Sequence, residues 1–190
     1  MNIPILGGYN ISNALASVAS LEPLGIEKEK SMLVLDDFPT VDGRMNILQR
    51  KPFTVIVDFA HTPNGLLSVL QTLENIKAPK SKLILVFGCA AKRDEYKRPV
   101  MGSYAKQYAD ITILTAEDSR TEDLREINNQ IENGWQEYKI DADRKLVRFD
   151  DETQNVKGRR DAIKEALSRA HEGDIRSEER RVGKECRSRW

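Results

Sequence analysis

Phe53-Thr54-Val55-Ile56-Val57-Asp58-Phe59-Ala60-His61-Thr62-Pro63 changes character halfway along. The apolar run Phe53–Asp58 predicts a short strand that delivers a carboxylate at its C-terminal end. Thr62 and Pro63 then form a helix start. Leu66, Leu67, Leu70 and Leu73 fall on one side of a helix over Thr62–Ile76. A strand feeding directly into a helix is the unit from which parallel sheets are built.

Downstream the unit repeats. Lys82–Phe87 is an apolar run suited to a strand buried on both faces. Gly88–Arg98 is a loop rich in small and charged residues, followed by a helix over Pro99–Tyr108 and a buried strand over Ile111–Thr115. Glu117–Asp123 is a polar loop, and Leu124–Asn133 a helix ended by Gly134. Lys145–Phe149 predicts a further strand and Val156–His171 a further helix. This alternation predicts an α/β fold with a doubly wound, mostly parallel sheet, whose ligands lie at the loops after the strands. Upstream, Met45–Gln49 is one more short strand. Asn10–Leu21 is a helix ended by Pro23 and Gly25, and Glu27–Asp37 a second helix stopped by Pro39. Asp42-Gly43 marks a turn, and Thr40–Arg44 is the expected hinge between two domains. The sequence shows no internal repeat and no low-complexity segment.

Composition narrows the function classes. The chain has 190 residues, 39% hydrophobic and 32% charged, with Lys+Arg and Asp+Glu equal at 30 each. That balance points to no nucleic-acid and no membrane partner. The longest apolar runs are too short to span a bilayer, and no signal peptide is expected at the N-terminus. Two distant cysteines, Cys89 and Cys186, fit a reducing, cytoplasmic setting without a disulfide framework.

Four charged or amide-rich constellations are candidates for chemistry. At the end of the quoted strand, Asp58 can accept both ribose hydroxyls of a nucleotide, and His61 can reach phosphate or base. The competing reading is a turn cap and a satisfied surface His. In Gly88-Cys89-Ala90-Ala91-Lys92-Arg93-Asp94, small residues let the backbone approach a ligand closely, and Arg93 and Lys97 can meet anionic groups. A solvated basic loop is the alternative, and Cys89 reads as a small packing residue. In Glu117-Asp118-Ser119-Arg120-Thr121-Glu122, Asp118 and Arg120 could hold the ammonium and carboxylate of a zwitterion. Helix capping is the alternative there. In Gly8-Tyr9-Asn10-Ile11-Ser12-Asn13, Asn10 or Ser12 is either a cap or a reader of a base or phosphate.

Taken in order and spacing, five motifs resemble the second half of the MurE-type Mur ligases, over roughly residues 7–175. They are Gly8–Ala16, Asp42-Gly43-Arg44-Met45, Asp58–Pro63, Phe87–Gly102 with its Arg93-Asp94 and Lys97-Arg98-Pro99, and Glu117–Glu122. Asp-Phe-Ala-His-Thr-Pro is the form that separates this type from its relatives. The resemblance implies a Rossmann-like C-terminal domain over residues 41–175, preceded over residues 1–40 by the helical end of an ATP-binding domain. It implies that Arg44, Asp58 and His61 close over ATP, with Asp58 at the ribose and Asn10 on the nucleotide side. Arg93, Asp118 and Arg120 would hold the incoming amino acid. Relatives that add meso-diaminopimelate carry Asp-Asn-Pro-Arg where this chain has Glu117-Asp118-Ser119-Arg120; the shared Arg120 favours diaminopimelate over lysine.

The implied activity is ATP-dependent amide formation on UDP-MurNAc-L-Ala-D-Glu, in peptidoglycan synthesis, by a monomer. The implied cofactors are ATP and Mg²⁺, the latter bound mainly by the ATP domain, with no catalytic residue and no metal ligand in this chain. The family's Gly-Lys-Thr phosphate loop does not occur in these 190 residues, so the chain alone is expected to be inactive. The family's Gly-Lys-Gly-His-Glu segment is also absent after Gly173-Asp174-Ile175. Instead Arg176–Trp190, with six basic and three acidic residues, resembles a translated sequencing adapter. It is expected to be a foreign or disordered tail, leaving the sheet without its last strand. Two other readings are a non-catalytic Rossmann-like binding module and a folylpolyglutamate-synthetase relative, the second disfavoured by Thr62-Pro63 after His61.

Overall fold

The computed structural model describes residues 5–38, 41–150 and 155–179. Two helices come first, α1 (Gly8–Leu21) and α2 (Lys28–Asp36), joined through a 3-10 turn at Glu22–Leu24. The sheet follows: β1 (Asn46–Gln49), β2 (Thr54–Asp58), α3 (Pro63–Ile76), β3 (Leu83–Phe87), α4 (Lys97–Tyr108), β4 (Ile111–Leu114), α5 (Leu124–Glu137), β5 (Lys145–Arg148), α6 (Asn155–Arg169) and β6 (Ile175–Glu179). The strand order is β1-β2-β6-β3-β4-β5, parallel except for the antiparallel β1. The α/β, mostly parallel architecture read from the alternating pattern is the one observed.

Residue alternation explains the layers. Leu83, Leu85 and Phe87 of β3 join Leu66, Leu70 and Leu73 of α3, Met101 of α4 and Ile131 of α5 in the larger core. Ile84 and Val86 face the other way, onto Ala162 and Ala166 of α6. A strand covered on both faces has no polar side, hence the unbroken apolar run. α3 begins where Thr62 and Pro63 place it. The Thr62 hydroxyl accepts from Gly65 N at 3.2 Å, and Pro63 opens the first turn, where its missing N–H costs nothing.

Three differences from expectation bear on the packing of the domain. α4 starts at Lys97, not Pro99, because a proline is tolerated in the first turn. Gly134 does not end α5, which runs on to Glu137. A Cβ on Gly134 would lie 1.9 Å from Pro99 O, and one on Gly102 1.9 Å from Ile131 O, so both glycines allow α4 and α5 to pack backbone to backbone.

The third difference is the largest. The sheet does not lack its last strand: residues 175–179 form β6, in the middle of the sheet between β2 and β3. Asp174 explains the placement. Its carboxylate accepts from Lys82 N at 2.7 Å and His171 N at 2.9 Å, and its carbonyl accepts from Thr54 N at 2.9 Å. β2 and β3 would otherwise expose two rows of unpaired peptide groups to each other, and any entering backbone satisfies both. The side chains fit less well. Arg176, Glu178 and Glu179 are all buried, Arg176 pairs with Glu178 at 2.8 Å, and neither Glu179 carboxylate oxygen has a hydrogen-bond partner. Residues 180–190 of the expected tail, Cys186 among them, lie outside the described residues, as do Pro39 and Thr40 of the expected hinge.

Candidate functional site

The parallel strands β2, β3 and β4 end on one edge of the sheet, and the three charged loops follow them there. The first begins at Asp58. Its Oδ2 accepts from Met45 N at 2.7 Å. Met45 is buried with φ +45, a conformation that non-glycine residues adopt rarely and that tends to collect at functional sites. Burial pushes the Asp58 carboxyl up from its ordinary value; the Met45 N–H and the Arg44 charge oppose that shift without cancelling it.

Arg44 lies over the Phe59 ring at 4.9 Å, and the Phe59 and His61 rings are 4.5 Å apart. His61 Nδ1 sits 3.0 Å from Phe59 O. A carbonyl only accepts, so Nδ1 carries the proton and Nε2 is left as the ring's other functional atom. Arg44, Asp58 and His61 are thus gathered at the end of β2.

Asn10, near the start of α1, donates from its amide to Leu6 O at 2.6 Å, just ahead of the helix, and accepts from Asn13 at 3.2 Å. Its neighbour Tyr9 is the residue the sequence reading missed. Tyr9 packs against the main core, and its buried hydroxyl has no hydrogen-bond partner. Burial first, then the Asp58 charge, holds its proton on well above the usual phenol range.

The second and third loops form one unit. Ala91 N donates to Asp118 O at 2.8 Å, and Lys92 N to Glu122 Oε2 at 2.9 Å. A Cβ on Gly88 would come within 2.1 Å of Thr115 O, so this glycine answers to the neighbouring strand and not to a ligand. Arg120, at φ +46, donates through Nε to Asp118 Oδ2 at 3.0 Å, and both side chains are more than two-fifths exposed. Arg93 lines an open hollow of about 840 Å³ with Lys92, Tyr96, Gln130 and Asn133.

Lys97, expected to meet anions, instead donates from Nζ to His61 O at 2.7 Å and is buried. Arg98 beside it is fully buried and paired with Glu122. The hydrogen bond from Arg98 holds the Glu122 carboxyl below the usual carboxylate range. Cys89 is buried, with its Sγ 3.8 Å from the Met101 sulfur, and burial pushes its thiol up to about 12. It is a packing residue. Among the described residues no group of three or more His, Cys, Asp and Glu is placed to hold a metal ion, and no helix is long and apolar enough to cross a membrane.

Similarity to known proteins extends over most of the chain. Residues 43–176 match the family model described as Mur ligase, glutamate ligase domain. A UDP-N-acetylmuramoyl-L-alanyl-D-glutamate–2,6-diaminopimelate ligase of Clostridium botulinum is 39% identical over 92% of this chain and 33% of its own length. The enzyme of the same name from Chlorobium phaeobacteroides is 44% identical over 67% of this chain and 25% of its own length. The chain therefore spans about a third or less of these relatives. A solved structure of a ligase of that name is 30% identical with a TM-score of 0.61, covering 94% of this chain and 34% of its own. FolC of E. coli with ADP, 19% identical with a TM-score of 0.65 over 95% of this chain and 38% of its own, shares the fold.

Proposed function

The chain belongs to the Mur ligase family through its glutamate ligase domain, and on that premise we propose that it supplies the amino-acid pocket and nucleotide lid of an ATP-dependent ligase that joins meso-diaminopimelate to UDP-MurNAc-L-Ala-D-Glu. In this reading residues 1–40 end an ATP-binding domain and the sheet from residue 41 onward is the C-terminal domain. The enzyme acts in the cytoplasm, as a monomer, on the peptidoglycan precursor.

ATP transfers its terminal phosphoryl group to the terminal carboxylate of the dipeptide, releasing ADP, and the amine of the incoming amino acid attacks the acyl phosphate, gives up a proton and expels phosphate. This chain contributes positioning and charge. Asp58 accepts from the ribose hydroxyls, and Arg44 and His61 Nε2 face the phosphates or base. Asn10 joins them from α1 once its amide is released from Leu6 O. In this reading Mg²⁺ is held mainly by the ATP-binding domain.

The observation that carries the substrate reading is the exposed Asp118–Arg120 pair. Opposite charges side by side suit a ligand end that bears both ammonium and carboxylate. Meso-diaminopimelate keeps such an end after its other amine reacts, whereas the far end of lysine bears only an ammonium. Arg93 meets the ligand from the adjoining loop.

Calorimetry on the purified chain is expected to show tighter binding of meso-diaminopimelate than of lysine. Arg120→Ala should lose on the order of 2–3 kcal/mol for the preferred ligand. Equal affinity for the two amino acids, or an unchanged affinity in the variant, would remove the pair from the pocket. With no Gly-Lys-Thr loop in its sequence, the chain alone should release no phosphate from ATP and the UDP precursor.

A further inference from the structure

Arg98 is fully buried at the start of α4, and its guanidinium forms two parallel bonds to Glu122, at 2.6 and 2.9 Å. It also reaches Gln130 Oε1 at 2.9 Å on α5 and Ala90 O at 3.3 Å in the β3–α4 loop. Glu122 Oε2 has a second donor, Lys92 N at 2.9 Å, on the residue preceding Arg93. From the other side, Asp118 O accepts from Ala91 N at 2.8 Å. One carboxylate thus fastens the loop that carries Arg93 to the loop that carries Asp118 and Arg120.

The backbone between these anchors is not at rest in a common conformation. Lys92, Asp94 and Arg120 all adopt positive φ, at +51, +39 and +46. Such conformations persist only where surrounding bonds over-determine them. A buried ion pair is in itself weak evidence of a stabilising role, since desolvation opposes the attraction. Here the pair lies between the two strained loops, and a main-chain donor from one of them completes it.

We infer that Arg98 and Glu122 are positioning residues, which set the spacing between Arg93 and the Asp118–Arg120 pair and so the affinity for the amino-acid ligand, without touching that ligand. The inference rests on the substrate reading given under Proposed function. Displacement of binding groups by about an ångström is enough to lower affinity or rate strongly. Glu122→Gln keeps the shape but leaves Arg98 buried without its counter-charge. Arg98→Lys keeps the charge but cannot span Glu122, Gln130 and Ala90 together.

The test is calorimetry of meso-diaminopimelate with the 190-residue chain, its Glu122→Gln and Arg98→Lys variants, and a Glu132→Gln control, each first checked for folding by circular dichroism. Glu132 is also paired with an arginine, Arg148, but from α5 and outside both loops. Glu122→Gln is expected to weaken binding by about tenfold or more, Arg98→Lys by less, and Glu132→Gln not at all, even where it lowers the melting temperature as much. Backbone amide exchange at Ala91 and Lys92 should quicken in Glu122→Gln and stay unchanged in Glu132→Gln. Should Glu122→Gln not fold, Arg98→Lys decides. A parent chain that binds neither meso-diaminopimelate nor lysine overturns the substrate reading, and the pair's role with it. Firm parent binding that the two loop-fastening variants leave unchanged overturns the positioning role alone.

Discussion

At the scale of single residues, Asp58 is held against its own electrostatic interest. Burial favours its neutral form, yet a carboxylate is what a ribose-facing acceptor at that position would use. A carboxyl whose folded pKa is raised stabilises the fold while protonated, fully so below its unfolded value, and loses that contribution as pH rises through the raised value. Near neutrality the ionised group is therefore a burden. Asp58→Asn retains an oxygen to accept from Met45 N and removes the buried charge. It should melt at or above the parent at pH 7, with the difference shrinking as pH falls through the raised Asp58 value, below which the parent is itself protonated. A kilocalorie-scale relief corresponds to about 2–4 °C for a chain of this size. A variant equally destabilised across the pH range would show that ionised Asp58 supports the fold. Asp58 and His61 were legible in the sequence because strand and helix signals bracket them. Arg98 was not, because Lys97-Arg98 has the look of a solvated run and Glu122 lies 24 residues away, brought alongside only by tertiary packing.

At the scale of elements, local rules placed the start of α3 well and the end of α5 badly. Thr62-Pro63 begins α3 by chemistry contained within four residues, so the sequence shows it. Gly134 carries an ordinary stop signal, but its role is set by α4, whose Pro99 carbonyl occupies the space a side chain would need. Helix propensity and packing therefore make opposite predictions for Gly134→Ala. Propensity favours alanine by about 1 kcal/mol. The 1.9 Å approach to Pro99 O is backbone against backbone and has no side chain to move aside. Packing should win, with a net loss of about 1–3 kcal/mol in denaturant unfolding. A stabilised variant would mean that α4 and α5 can separate without penalty. The same contact holds Arg98 and Gln130 in reach of each other, so the variant should also loosen the two pocket loops.

At the scale of the whole molecule, the sheet was legible strand by strand except at its centre. β6 escaped notice because Arg176-Ser177-Glu178-Glu179 has no apolar period, and in a slot flanked by Val55, Ile56, Val57 and Leu83–Phe87 an apolar strand is the consistent solution. The family match also ends at residue 176. Backbone pairing with β2 and β3, and the Asp174 anchor, fill the slot whatever side chains it then carries. We propose that these charged residues are foreign to the domain, as their likeness to an adapter suggests, and stability can decide it. Arg176 and Glu178 form a buried pair whose desolvation rivals its attraction, and Glu179 is kept toward its protonated form by burial. Arg159 of α6 joins the pair, reaching Glu178 at 3.2 Å, so the buried group is an Arg–Glu–Arg triad. Replacing all three members together, Arg159→Met and Arg176→Met with Glu178→Leu, should raise the unfolding free energy by about 1–4 kcal/mol, whereas Glu178→Leu alone strands two arginine charges and should lower it by about 3–5 kcal/mol. Denaturant unfolding of the parent, the single and the triple variant reads this directly. If the triple variant is no more stable than the parent, the charged strand is suited to its slot, and the residues from Arg176 to Glu179 belong to the domain as fully as β2 and β3 do.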